Sequence, residues 1–160
     1  MSKFIVPKKV DKKQIIDFFR KKGLKELISL SNKPKKKANE MIQNQPYSPD
    51  LIDLYNLYRF VVLNKRTTIL EFGSGWSSII FMLALNELKS KFSNKIKNLR
   101  RNNPFELFVL ENETKFLNIT KKRNLKFKKK LNISTKVNYL FSEVSMTTFN
   151  GRICTEYKKL

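Results

Sequence analysis

At 160 residues, 41% of them hydrophobic, the chain is long enough for one domain with a real core. It has no histidine, which removes imidazole base catalysis, Ser-His-Asp triads and most zinc sites; its single cysteine, Cys154, excludes an internal disulfide. The net charge of +21 implies attraction to polyanions, whether nucleic acid, anionic lipid or acidic glycan. The excess is mostly lysine alongside abundant Asn, Ile and Phe, a mix that AT-rich coding DNA produces without selection for binding. No run approaches the roughly 20 apolar residues of a membrane span. Residues 1–10 lack the apolar core and cleavage site of a signal peptide, so a reducing cytoplasm is the expected compartment.

Residues 1–46 read as a helical extension. Ile15, Ile16, Phe18, Phe19, Leu24, Leu27, Ile28 and Leu30 recur at helical spacing, and Gly23 divides them into two helices. Lys33-Pro34-Lys35-Lys36-Lys37 is a basic break, and a further short helix is expected over 38–45. Tyr47-Ser48-Pro49-Asp50 signals the next helix start, with Ser48 as cap, Pro49 in the first position and Asp50 complementing the dipole. Leu51, Leu54, Tyr55, Tyr58, Val61 and Val62 form its apolar face. Core packing is the expected role of Tyr47 and Tyr55, with an approach to a ligand as the alternative.

Thr67 to Phe72 is β-branched and apolar, as a strand buried on both faces should be. Gly73 and Gly75 bracket Ser74, so the backbone turns sharply and leaves room for a ligand. A helix follows at once, with Ser77 or Ser78 as its cap, running to near Leu88 and in helical character to Arg101. Its second half is basic, with Phe92, Ile96 and Leu99 as a narrow stripe, and Asn102-Asn103-Pro104 stops it. The phosphate-binding G-x-x-x-x-G-K-[ST] loop is excluded because no Lys follows a second glycine. A dinucleotide G-x-G-x-x-G fingerprint would need glycine where Ser78 stands, and Glu71 would repel a pyrophosphate.

Phe105 to Leu110 reads as the second strand, closed by Glu111. Thr114 to Lys130 is a basic amphipathic helix with Phe116, Leu117, Ile119, Leu125 and Phe127 inward. Its Lys121-Lys122-Arg123 and Lys128-Lys129-Lys130 clusters are the best polyanion candidates in the chain. Lys136 to Phe141 is the third strand, ended by Ser142 and Glu143. Met146 to Arg152 is expected to be a loop, with Gly151 turning into a short strand over Ile153 to Tyr157. The order β-α-β-α-β predicts an α/β, Rossmann-like, doubly wound sheet over 47–160, of which one mononucleotide-binding half is visible.

Leu70-Glu71-Phe72-Gly73-Ser74-Gly75 resembles the first motif of class I S-adenosylmethionine-dependent methyltransferases. The resemblance implies that Glu71, Gly73 and Gly75 lie against the cofactor, Glu71 holding its amino-acid end, with Ser74 and Trp76 on the same surface. It implies that Glu111, at the end of the second strand, accepts the ribose hydroxyls, and that Ser142 and Glu143 lie near the adenine. It covers roughly residues 47–143 and supplies no catalytic base and no methyl acceptor. The family's sheet has seven strands, so a truncated copy, or a sheet completed by a homodimer or a partner chain, is expected. The alternative is a non-enzymatic basic module that binds nucleic acid; a nicotinamide-dependent oxidoreductase fragment is disfavoured by Ser78 and Glu71.

Overall fold

The computed structural model describes residues 4–32, 46–97 and 102–158. The lysine break at 33–37, the helix expected over 38–45 and the helical continuation through 98–101 lie outside these residues. Two helices, α1 (Lys12–Lys21) and α2 (Lys25–Ser31), open the chain. Asp11 caps α1, its side chain accepting from the Gln14 N–H at 2.7 Å. Gly23 ends that helix with φ at +73°, a left-handed turn that glycine adopts without steric cost.

The third helix, α3 (Leu51–Leu63), is capped by Asp50 and not by Ser48. Asp50 Oδ1 accepts from the backbone N–H of Ile52 at 2.9 Å and of Asp53 at 3.2 Å. The helix therefore starts after the Ser-Pro pair, which leads in as extended chain. Then follow β1 (Thr68–Phe72), α4 (Ser77–Ile96), β2 (Glu106–Glu111), α5 (Thr114–Leu131) and β3 (Lys136–Phe141).

The three strands form a parallel sheet in the order β1-β2-β3, with Glu71 level with Val109 and Glu111 level with Phe141. Both crossovers step the same way across the sheet, so right-handed connection places α4 and α5 on one face. The core confirms the side: Ile69, Leu107, Val109, Val137 and Tyr139 pack with buried residues of the helices, among them Phe19, Leu27, Ile80, Leu85 and Phe127. Leu70 and Phe72 point the other way and are 47% and 55% exposed. β1 is thus an edge strand buried on one face, not the doubly buried strand that its composition suggested. Among the described residues no helix covers the second face.

Residues expected to form a loop after β3 instead make β4 (Val144–Phe149), paired antiparallel with β5 (Arg152–Tyr157). Asn150 and Gly151 both have positive φ, 50° and 73°, as the two-residue hairpin turn requires. The hairpin is a separate two-stranded sheet, docked where the Tyr157 ring meets Phe72, centroids 5.0 Å apart. Among the described residues no helix is long and apolar enough to cross a membrane.

Candidate functional site

The C-terminal ends of β1 and β2 meet at the glycine turn. Gly73 sits at φ +78°, and its N–H donates to the Leu110 carbonyl at 2.8 Å, which continues the β1–β2 ladder past the last paired residue. The chain then bends so that Ser74 faces Glu111. Ser74 donates its backbone N–H and its hydroxyl to Glu111 Oε2 at 2.8 and 2.7 Å. Glu111 Oε1 accepts from the N–H groups of Asn112 and Glu113 at 3.0 and 3.1 Å. A carboxylate has about four acceptor positions, so this one is fully subscribed. The buried charge is tolerated because every lone pair has a donor.

Glu71 lies on the helix-covered face of β1 and is 7% exposed. Its carboxylate accepts from the Ser77 hydroxyl and, at 2.6 Å, from the Ser78 hydroxyl. These serines were expected to cap α4; their hydroxyls are spent on Glu71 instead, and the helix starts after Trp76 with no side-chain cap. Burial pushes the Glu71 carboxyl up to about 7, against the lowering influence of both serines and of Arg123; nearby Glu111 adds to the rise.

A cavity of about 250 Å³ opens beside the turn, between the start of α4 and the inner face of α5. Ser74, Gly75, Trp76 and Glu111 line it, so four of the expected site residues share one space. Tyr47 joins them because the Trp76 indole N–H donates to its carbonyl at 2.8 Å. Tyr55 does not: its ring packs against Phe18 in the helical core. Glu71 and Gly73 form the turn beneath the cavity without lining it.

Ser142 and Glu143 are also outside the lining. The Ser142 N–H donates to the Glu111 carbonyl at 3.1 Å, and the Glu143 carbonyl accepts from the Lys158 N–H at 3.0 Å. Their backbone ties the hairpin to the end of the sheet.

The site residue missed in the sequence is Arg123. Read there as part of a basic cluster, it points inward and lines the cavity with Phe116 and Thr120. Its guanidinium lies 4.1 Å from the centre of the Trp76 ring, and one terminal nitrogen donates to Thr120 Oγ1 at 3.1 Å. Nε is buried without a hydrogen-bond partner among the described residues. Burial lowers the guanidinium to about 10, opposed by Glu71 and Tyr139, so it remains charged at neutral pH. The available signal was helical spacing: Arg123 follows Phe116 and Thr120 and precedes Phe127 on one stripe. Leu125, expected inward, is off that stripe and 55% exposed.

No known family profile, curated protein or solved structure matches the chain significantly.

Proposed function

We propose that this chain is the cofactor-binding portion of an S-adenosylmethionine-dependent methyltransferase, acting on an acceptor that its residues do not specify. The observation that carries the reading is the cavity at the C-terminal edge of a parallel sheet, where the glycine turn and Glu111 meet. Ligands of open parallel α/β sheets bind at that edge. Bound there, the cofactor supplies an activated methyl group, and the chain's residues hold and orient it. Glu111 would accept ribose hydroxyls in place of the Ser74 hydroxyl, and Glu71, once ionised, would oppose an ammonium group. β1 forms one edge of the sheet and exposes Leu70 and Phe72, so a strand from a second copy or another chain pairing along it fits the same reading.

The test is a titration of S-adenosylhomocysteine followed by fluorescence of Trp76, the only tryptophan, and confirmed by calorimetry, with NADH and a short RNA as controls. Saturable binding of S-adenosylhomocysteine and none of NADH is the expected result. A folded chain that ignores the compound would overturn the reading.

One observation favours a second reading, a nucleic-acid-binding module. Helix α5 exposes Lys115, Lys121, Lys122, Lys129 and Lys130 and contains no acidic residue. Binding of RNA that weakens steeply with salt, without any response to S-adenosylhomocysteine, would favour it.

A further inference from the structure

We infer that Arg123 binds the carboxylate of the cofactor's amino-acid arm, and that this arm, not the adenosine, occupies the cavity between α4 and α5. The inference rests on the methyltransferase reading and assigns a role that the motif resemblance does not.

Three observations lead to it. The first is an unused donor: Arg123 lines the cavity, and its Nε is buried with no acceptor among the described residues. Leaving such a group unpaired is costly, and a carboxylate is the acceptor that a guanidinium fork fits best. The remainder of the guanidinium is already fixed, against Trp76 on one side and Thr120 on the other, so little ordering is left to be done on binding.

The second is polarity. Glu71 and Arg123 are close enough to shift each other's ionisation, and the glycine turn lies beside both. A buried acid beneath the cavity and a guanidinium lining it complement a zwitterion, which carries an ammonium and a carboxylate on one carbon. An anion alone would leave Glu71 opposed to it, and a cation alone would meet Arg123.

The third is size. At about 250 Å³ the cavity is below the roughly 300–1,000 Å³ of clefts that enclose whole drug-sized ligands. It suits one arm of the cofactor. Glu111 at its rim then meets the ribose, and the base lies outside.

The experiment compares three ligands on the full chain: S-adenosylhomocysteine, its decarboxylated analogue, and 5′-methylthioadenosine, which lacks the amino-acid arm. The wild-type protein should bind S-adenosylhomocysteine at least tenfold more tightly than either of the others. Arg123→Met should abolish that preference by weakening S-adenosylhomocysteine alone, and Arg123→Lys should restore part of it. Equal affinity of the wild type for the acid and its decarboxylated analogue would overturn the inference and leave the methyltransferase reading intact; this comparison needs no variant to fold. An Arg123→Met loss shared equally by all three ligands would also overturn it, since that is the signature of a structural residue. Failure of all three to bind the wild type would remove the methyltransferase reading and the inference with it.

Discussion

Ser74 donates both its backbone N–H and its hydroxyl to the same oxygen of Glu111, at 2.8 and 2.7 Å. The glycine turn is thereby closed onto the acid that a ribose would use. A ligand hydroxyl must displace the Ser74 hydroxyl before it can bind Glu111. Ser74→Ala removes that competitor while leaving the backbone donor. We expect the variant to melt a few degrees lower, having lost a charge-assisted hydrogen bond, and to bind S-adenosylhomocysteine roughly fivefold more tightly, the equivalent of about 1 kcal/mol. Paired thermal melts and calorimetry read both effects. A tenfold weaker affinity would show instead that the hydroxyl contacts the ligand. Glu111→Ala is a poor substitute for this experiment, because it also frees the N–H groups of Ser74, Asn112 and Glu113 and so dismantles the turn.

Glu71 makes stability depend on pH in an uncommon direction for a carboxylate. Its folded value, about 7, lies above the ordinary 4.5, so the folded chain holds a proton that the unfolded chain has released. The contribution is complete below about pH 4.5, falls as pH rises through 7, and is absent above that. Glu87 acts oppositely. Burial pushes its carboxyl up, but hydrogen bonds from Lys22, Lys91 and Tyr58 outweigh this and hold it at about 2, so its contribution is present above about pH 4.5 and is lost progressively as pH falls to 2. Glu71→Gln keeps the shape and an acceptor for the serine hydroxyls without an ionisable group. Denaturant titrations from pH 4 to 8 should show a wild-type decline of about 3 kcal/mol that the variant lacks. Parallel curves for the two proteins would refute the assignment.

The parallel β-α-β-α-β succession was legible because each element carries its own period or punctuation. The β-branched run before Gly73, the glycine turn and the apolar run to Glu111 all stand where expected. Burial on the second face of β1 was not legible. Leu70 and Phe72 are apolar, and composition alone does not distinguish a covered apolar face from an exposed one. The β4–β5 hairpin was hidden for a different reason. Met146, Thr147, Thr148 and Phe149 alternate weakly, and the decisive signal, Asn150-Gly151, falls inside the segment expected to be a loop. Arg123 was hidden because it follows Lys121 and Lys122, whose charge masks its place on the inward helical stripe.

Gly23, between α1 and α2, lies against the end of the Leu131 side chain. A Cβ built at this position would lie 2.8 Å from Leu131 Cδ2 at the end of α5, and the φ of +73° is disfavoured for any L-residue. Gly23→Ala therefore meets two penalties. The left-handed conformation alone costs about 1–2 kcal/mol, and moving Leu131 adds to it. Chemical denaturation should place the variant at least 1 kcal/mol below wild type, whereas a change within 0.5 kcal/mol would mean that the turn relaxes freely.

The start of α3 offers a test between two neighbouring residues. Ser48 has the composition of a cap, but Asp50 makes the capping bonds, to Ile52 and Asp53, and its charge also opposes the positive end of the helix dipole. Asp50→Ala should cost about 1 kcal/mol, while Ser48→Ala, at an exposed position before the helix, should be nearly neutral. The distinction extends to the site. Tyr47, three residues before the cap, holds the Trp76 indole through its carbonyl, so fraying of α3 loosens one wall of the cavity. Asp50→Ala should accordingly alter Trp76 fluorescence at temperatures well below the global melt, and Ser48→Ala should not. If both variants leave the emission unchanged until the chain unfolds, the segment before α3 is held to the site independently of the helix that follows it.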